Sequence, residues 1–173
     1  MDSLNDSIRK YTEELKNGRI QRAYRGIMTF ISELKNHIER NQPKLATSAL
    51  YFGYMDMTYF ACTPPELRDQ KLKIALVYLH EENRFEVWLA AANRQIQAQV
   101  VRQLSGRDLG RHTLVPIKPG EDAIISSVIV TQPDFDHPEV LVHLLEIEIS
   151  RFSQEMIDII RTPLARGGPS AHG

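Results

Sequence analysis

Two acids and one arginine sit among aromatic residues in two stretches of this chain. Residues 48–65, SALYFGYMDMTYFACTPP, hold Asp56 and five of the chain's 13 aromatic residues; residues 84–90, RFEVWLA, hold Arg84, Glu86 and Trp88. A carboxylate inside an aromatic strand needs a partner or a cavity, because burying an unpaired charge is prohibitive. Asp56 therefore has two roles open to it. It can accept hydrogen bonds from Tyr, Thr or Arg neighbours, or it can contact a ligand. Strand alternation, with a bend at Gly53, places Tyr51, Met55, Met57 and Tyr59 on one face and Phe52, Tyr54, Asp56, Thr58 and Phe60 on the other. The expected ligand pocket combines Tyr54, Asp56, Thr58, Arg84, Glu86 and Trp88, with Tyr78 nearby. Such a site suits a small polar or aromatic molecule. An Arg84–Glu86 or Arg84–Asp56 pair would satisfy the same charges without a ligand.

Other residue types offer less. Asp56, His80, Glu81, Glu82 and Glu86 have the oxygen and nitrogen donors a divalent metal takes. Glu81 and Glu82 fall in a hairpin turn, however, where acids are usually just solvated, and no metal site is assigned. Cys62 could act as a nucleophile only beside a base such as His80; it reads as a small core residue. His37, His112, His137 and His143 are scattered and read as surface or capping residues. No phosphate loop, dinucleotide fingerprint, HExxH or CxxC pair is present, and no cofactor is expected.

The elements that position these residues follow from periodicity. Leu4, Ile8, Tyr11 and Leu15 predict a helix over 3–16, stopped by Asn17-Gly18. Ile20, Ala23, Ile27, Ile31, Leu34 and Ile38 predict a longer helix ending before Pro43. Strands are expected at 48–61, 71–80, 84–90 and 123–130, the middle two forming a hairpin around Glu81-Glu82-Asn83. In the first arm of that hairpin Leu72, Ile74, Leu76 and Tyr78 share a face. In the second arm Phe85, Val87 and Leu89 oppose Arg84, Glu86 and Trp88. Asn93 caps a helix to Ser105 with Ile96, Val100 and Leu104 inward. The last helix carries Leu141, Leu145, Ile149, Phe152, Met156 and Ile159. The order ααβββαβα predicts an α+β fold, a single domain over 1–161 with a mainly antiparallel four-stranded sheet packed by helices. Residues 162–173 read as a disordered tail.

Composition narrows the class. At 173 residues, with 42% apolar and 25% charged content, the chain has the makings of one globular domain. A formal net charge of −1 argues against a nucleic-acid partner or an anionic membrane surface. Residues 84–118 are basic and 121–160 acidic; solvated helix faces account for this count more readily than a mildly basic and a clearly acidic face. A lone cysteine and a polar N-terminus fit a cytoplasmic protein, and no apolar run reaches the ~20 residues of a membrane helix.

The motifs GYMDMTYF (53–60) and RFEVWL (84–89) carry a resemblance. The chain, from Tyr11 to about Ile160, is similar to a family of small prokaryotic proteins known only as a domain of unknown function. The resemblance implies a free-standing domain and no activity. Separately, the order αβββαβ from the second helix to the fourth strand is similar to the core of restriction-endonuclease-like nucleases. That analogy would pair Asp56 or Asp69 with Glu86 around Mg²⁺. Position 88 is Trp where those enzymes have Lys, so Lys73 or Arg84 would have to substitute. Three readings result: a binding protein for a small ligand or a partner protein, a metal-dependent phosphodiesterase or nuclease, and a homodimeric interaction module.

Overall fold

The computed structural model describes residues 3–161; the expected disordered tail lies outside them. The elements are α1 (Leu4–Lys16), α2 (Arg19–Asn41), β1 (Ala46–Thr47), β2 (Tyr51–Phe52), β3 (Met57–Thr63), α3 (Pro65–Arg68), β4 (Leu72–Leu79), β5 (Arg84–Ala91), α4 (Arg94–Leu104), β6 (Thr113–Leu114), β7 (Ala123–Thr131) and α5 (Pro138–Arg161). The α+β class holds. The sheet has seven strands rather than four, in the order β1-β3-β4-β5-β7-β6 with β2 also paired to β3, and every pairing is antiparallel.

The difference arises mainly in residues 46–63. The single strand expected at 48–61 is three strands, because the chain turns back between Phe52 and Met57. Gly53 makes that turn feasible: a Cβ there would lie 2.0 Å from Asp56 Oδ1 and 2.6 Å from the Met57 carbonyl oxygen. Its N–H donates to that carbonyl at 3.0 Å. β6 has only two residues in a loop without strand periodicity, and its partner β7 defines it.

Local signals set the helix boundaries. Ser3 and Asp6 form a reciprocal capping box on α1. Gly18, at φ 68°, carries the chain into α2, a conformation glycine adopts without Cβ strain. The Asn93 side chain accepts from Ile96 N–H at the start of α4. Helices cover one side of the sheet. Phe60, Leu76, Phe85, Val87 and Leu89 join Ile31, Leu34 and Ile38 of α2, Val100 and Leu104 of α4, and Leu145, Ile149 and Phe152 of α5 in one buried core. No helix of the described residues is long and apolar enough to cross a membrane.

A residue of the basic segment pairs with the acidic one. Arg111 reaches Glu148 and Glu155 of α5 at 3.3 and 3.5 Å. His112, expected at the surface, lies between them. Its side chain is 4% exposed, packs edge-on against Phe152 and meets Glu155 at 2.7 Å.

Candidate functional site: a pocket on the open face of the sheet

The second face of the sheet carries the other set of β3, β4, β5 and β7 side chains, several of them buried, with Val77 at 0% and Glu86 at 5% exposed. Strand pairing decides which side chains reach it. Tyr59 pairs with Val77, Val77 with Glu86, and Glu86 with Val128, so these four stand in one row. Ala75, Trp88 and Ser126 form the next row, and Lys73, Ala90 and Ala123 the one after. Together with Tyr51 of β2, and without Val128, they bound a cavity of about 400 Å³. The central strand contributes small side chains, Ala75 and Val77, so it forms a floor. Tyr51 and Tyr59 rise on one side, with ring centroids 4.8 Å apart and planes 25° from parallel. Trp88 rises two strands away, about 10 Å across at the usual strand spacing.

Residues Val115 and Gly120–Asp122 close the far end. This loop is held from behind by α4. Arg94 Nη1 donates to the Lys118 carbonyl at 2.8 Å, and Gln97 Nε2 donates to the carbonyls of Glu121 and Ala123, both at 3.0 Å. Ala91 N–H adds a bond to the Asp122 carbonyl. Lys73 Nζ meets Asp122 Oδ2 at 2.6 Å, tying the loop to β4.

Glu86 is the polar centre of the near end. It is 5% exposed. Arg84 Nε and Nη2 both donate to Oε1, at 2.7 and 2.6 Å, and Trp88 Nε1 donates to Oε2 at 2.6 Å. Three consecutive outward residues of one strand thus form a single network, and Oε2, with one donor, retains capacity for another.

The six residues expected to share a site divide. Arg84, Glu86 and Trp88 come together as anticipated. Thr58 does not join them. It pairs with Tyr78 on the helix side, where it is buried and its Oγ1 lies 3.0 Å from His80 Nε2. Tyr78 lines a separate groove along α2, beside Arg22, Phe30 and Phe135. Tyr54, 99% exposed, and Asp56, also exposed, stand on the β2–β3 turn. The Asp56 carboxyl is held below the usual carboxylate range chiefly by the Met57 backbone N–H. The pocket uses the opposite set of β3 side chains, Met57 and Tyr59. The expected alternation holds within β3, from Met57 to Phe60, where the face toward the cavity is the opposite one; Tyr54, Met55 and Asp56 lie in the turn and on neither face. Burial lowers the pKa of His80 against the opposing charge of Asp56. Cys62 is fully buried in the core, which pushes its thiol up to about 12.

Tyr51 and Tyr59 were expected on the face away from the pocket and Lys73 only in the nuclease analogy, while the 115–122 loop and the inward Gln97 escaped the sequence reading. Their only local signal was a polar side chain at an inward α4 position in the case of Gln97. Asp56 and Asp69 lie beyond opposite ends of β4, where Asp56 O accepts from His80 N–H and Asp69 caps α3. Among the described residues no three His, Cys, Asp or Glu side chains are grouped as metal ligands.

A seven-stranded antiparallel sheet backed by helices on one face and cupping a cavity on the other defines a class of α+β domain. Residues 4–160 match the family described as Domain of unknown function (DUF7000), and the chain belongs to that family. No curated protein and no solved structure matches it.

Proposed function

We propose that this protein binds a small molecule in the cavity over the open face of the sheet. The observation that carries the reading is the cavity itself. About 400 Å³, with aromatic walls, a small-residue floor and a buried, fully organised Glu86 at one end, is the composition of ligand sites generally. Pockets of mostly apolar lining with a few fixed polar groups take ligands whose polar atoms match those groups. A thermal-shift screen against common metabolites tests it, with Ala75→Phe as the control. That phenyl ring projects from the floor into the cavity and leaves the helix-side core untouched. Ligands that raise the melting temperature of the wild type and not of Ala75→Phe support the reading. Ligands that stabilise both proteins equally, or none at all, refute it.

A second reading, a homodimeric interaction module, is favoured by α1. That helix buries none of its residues and exposes Leu4, Ile8 and Tyr11 at helical spacing. Such a stripe stabilises a short helix only when something covers it. A sedimentation mass near twice 19.8 kDa at micromolar concentration, falling to the monomer in Ile8→Asp, would support it.

A further inference from the structure

We infer that the ligand of the open-face pocket is a small organic cation carrying a methylated or quaternary ammonium group. The inference rests on the pocket reading above and deepens it.

Aromatic walls come first. Tyr51 and Tyr59 stand stacked on one side of the floor and Trp88 on the other. Ring faces carry the negative part of the aromatic quadrupole, and several of them around one space form the cage that recognises quaternary ammonium groups. The Trp88 ring is not free to turn. Its N–H donates to Glu86 Oε2 at 2.6 Å. That bond aims the positive edge of the indole at a carboxylate, which pushes electron density toward the ring faces and strengthens their attraction for a cation.

Charge agrees with the rings. The acidic side chains lining the cavity are Glu86, Glu121 and Asp122, and Lys73 is the basic one. Lys73 is neutralised by Asp122 at 2.6 Å. Glu86 is paired with Arg84, so Glu121 is the one lining acid outside an ion pair, and an anionic ligand would meet its charge. A cation meets attraction from the ring faces and from Glu121 at the far end. The alanines of the floor, Ala75, Ala90 and Ala123, offer no hydrogen-bonding groups beneath the rings, as suits a methylated head that donates none.

The test uses the full chain and two probes of the same shape. Choline carries a trimethylammonium head; 3,3-dimethylbutan-1-ol replaces it with an uncharged tert-butyl group. Trp88 is the chain's single tryptophan, so its emission reports directly on the cavity. Choline is expected to change that emission saturably and to bind at least about tenfold more tightly than the alcohol. Tyr59→Leu, which keeps the reporter, is expected to weaken choline about tenfold while leaving the unfolding midpoint within a few degrees of wild type. Equal binding of the two probes overturns the cation inference and leaves the pocket reading standing. So does the absence of choline binding in a protein for which the metabolite screen has found an Ala75→Phe-sensitive ligand. No response to either probe, with no ligand from that screen, overturns both.

Discussion

Replacing Glu86 with Gln removes one charge and changes almost nothing in shape. The wild-type carboxylate receives three hydrogen bonds, two from Arg84 and one from Trp88, all at 2.6–2.7 Å. Glutamine has one oxygen and one NH₂ group. If the oxygen faces Arg84, the NH₂ confronts the indole N–H, and two donors oppose each other. If it faces Trp88, both guanidinium donors lose their acceptor. A bond involving a charged group contributes about 1.5–3 kcal/mol, and the surviving bonds fall to roughly half strength when the acceptor is neutral. Arg84 is 34% exposed, so water recovers part of the loss on its side. The net cost expected is about 2–3 kcal/mol, or roughly 4–12 °C in melting temperature for a chain of this length. Urea unfolding followed by Trp88 emission measures it, with the slope unchanged and the midpoint lowered. The native emission should also shift, because the indole loses its carboxylate acceptor. A midpoint within about 0.5 kcal/mol of wild type would mean that Glu86 neither holds Trp88 nor is held by Arg84, and the organised pocket end would have no physical basis.

Three further outcomes follow from the same geometry. Gly53→Ala forces a Cβ onto Asp56 Oδ1 and the Met57 carbonyl, so the β2–β3 turn must shift; a loss of about 1–3 kcal/mol in urea and faster amide exchange at Met57–Tyr59 are expected. Gln97→Ala removes both bonds to the Glu121 and Ala123 carbonyls, at a cost of about 1–3 kcal/mol, and should speed hydrogen exchange in the pocket loop more than in β4. His80 has a folded-state pKa below 6.5, so the unfolded chain binds its proton more readily. Stability should rise with pH between that lowered value and 6.5, and be lost as pH falls through the same window. His137 is shifted upward by Asp134, acts in the opposite sense and does so above 6.5. The difference between wild type and His80→Gln therefore isolates His80; a difference that stays flat as pH falls below 6.5 would contradict the assignment.

Within single elements the residues themselves were informative. The 4,3 spacing of α1, α2 and α5, the cap at Asn93, and the β4–β5 hairpin all match the structure, because each is a short-range property of the chain. So is the grouping of Arg84, Glu86 and Trp88, which share a face by strand alternation alone. In β4 and β5 one face is fully apolar, so polarity also told which side meets the core.

Tertiary structure decided the rest. On β3 both faces are apolar or aromatic, Thr58 and Phe60 against Met57 and Tyr59, and hydrophobicity could not choose between them. The pairings of Thr58 with Tyr78 and of Tyr59 with Val77 made the choice, through a register that a one-residue slip would invert. The pocket's far wall depends on contacts between residues distant in the chain: Lys73 with Asp122, and Gln97 with the Glu121 and Ala123 carbonyls. No local pattern encodes such contacts. They exist because the packing of α4 against β5 and β7 brings these groups within hydrogen-bonding reach, and only the folded chain does that.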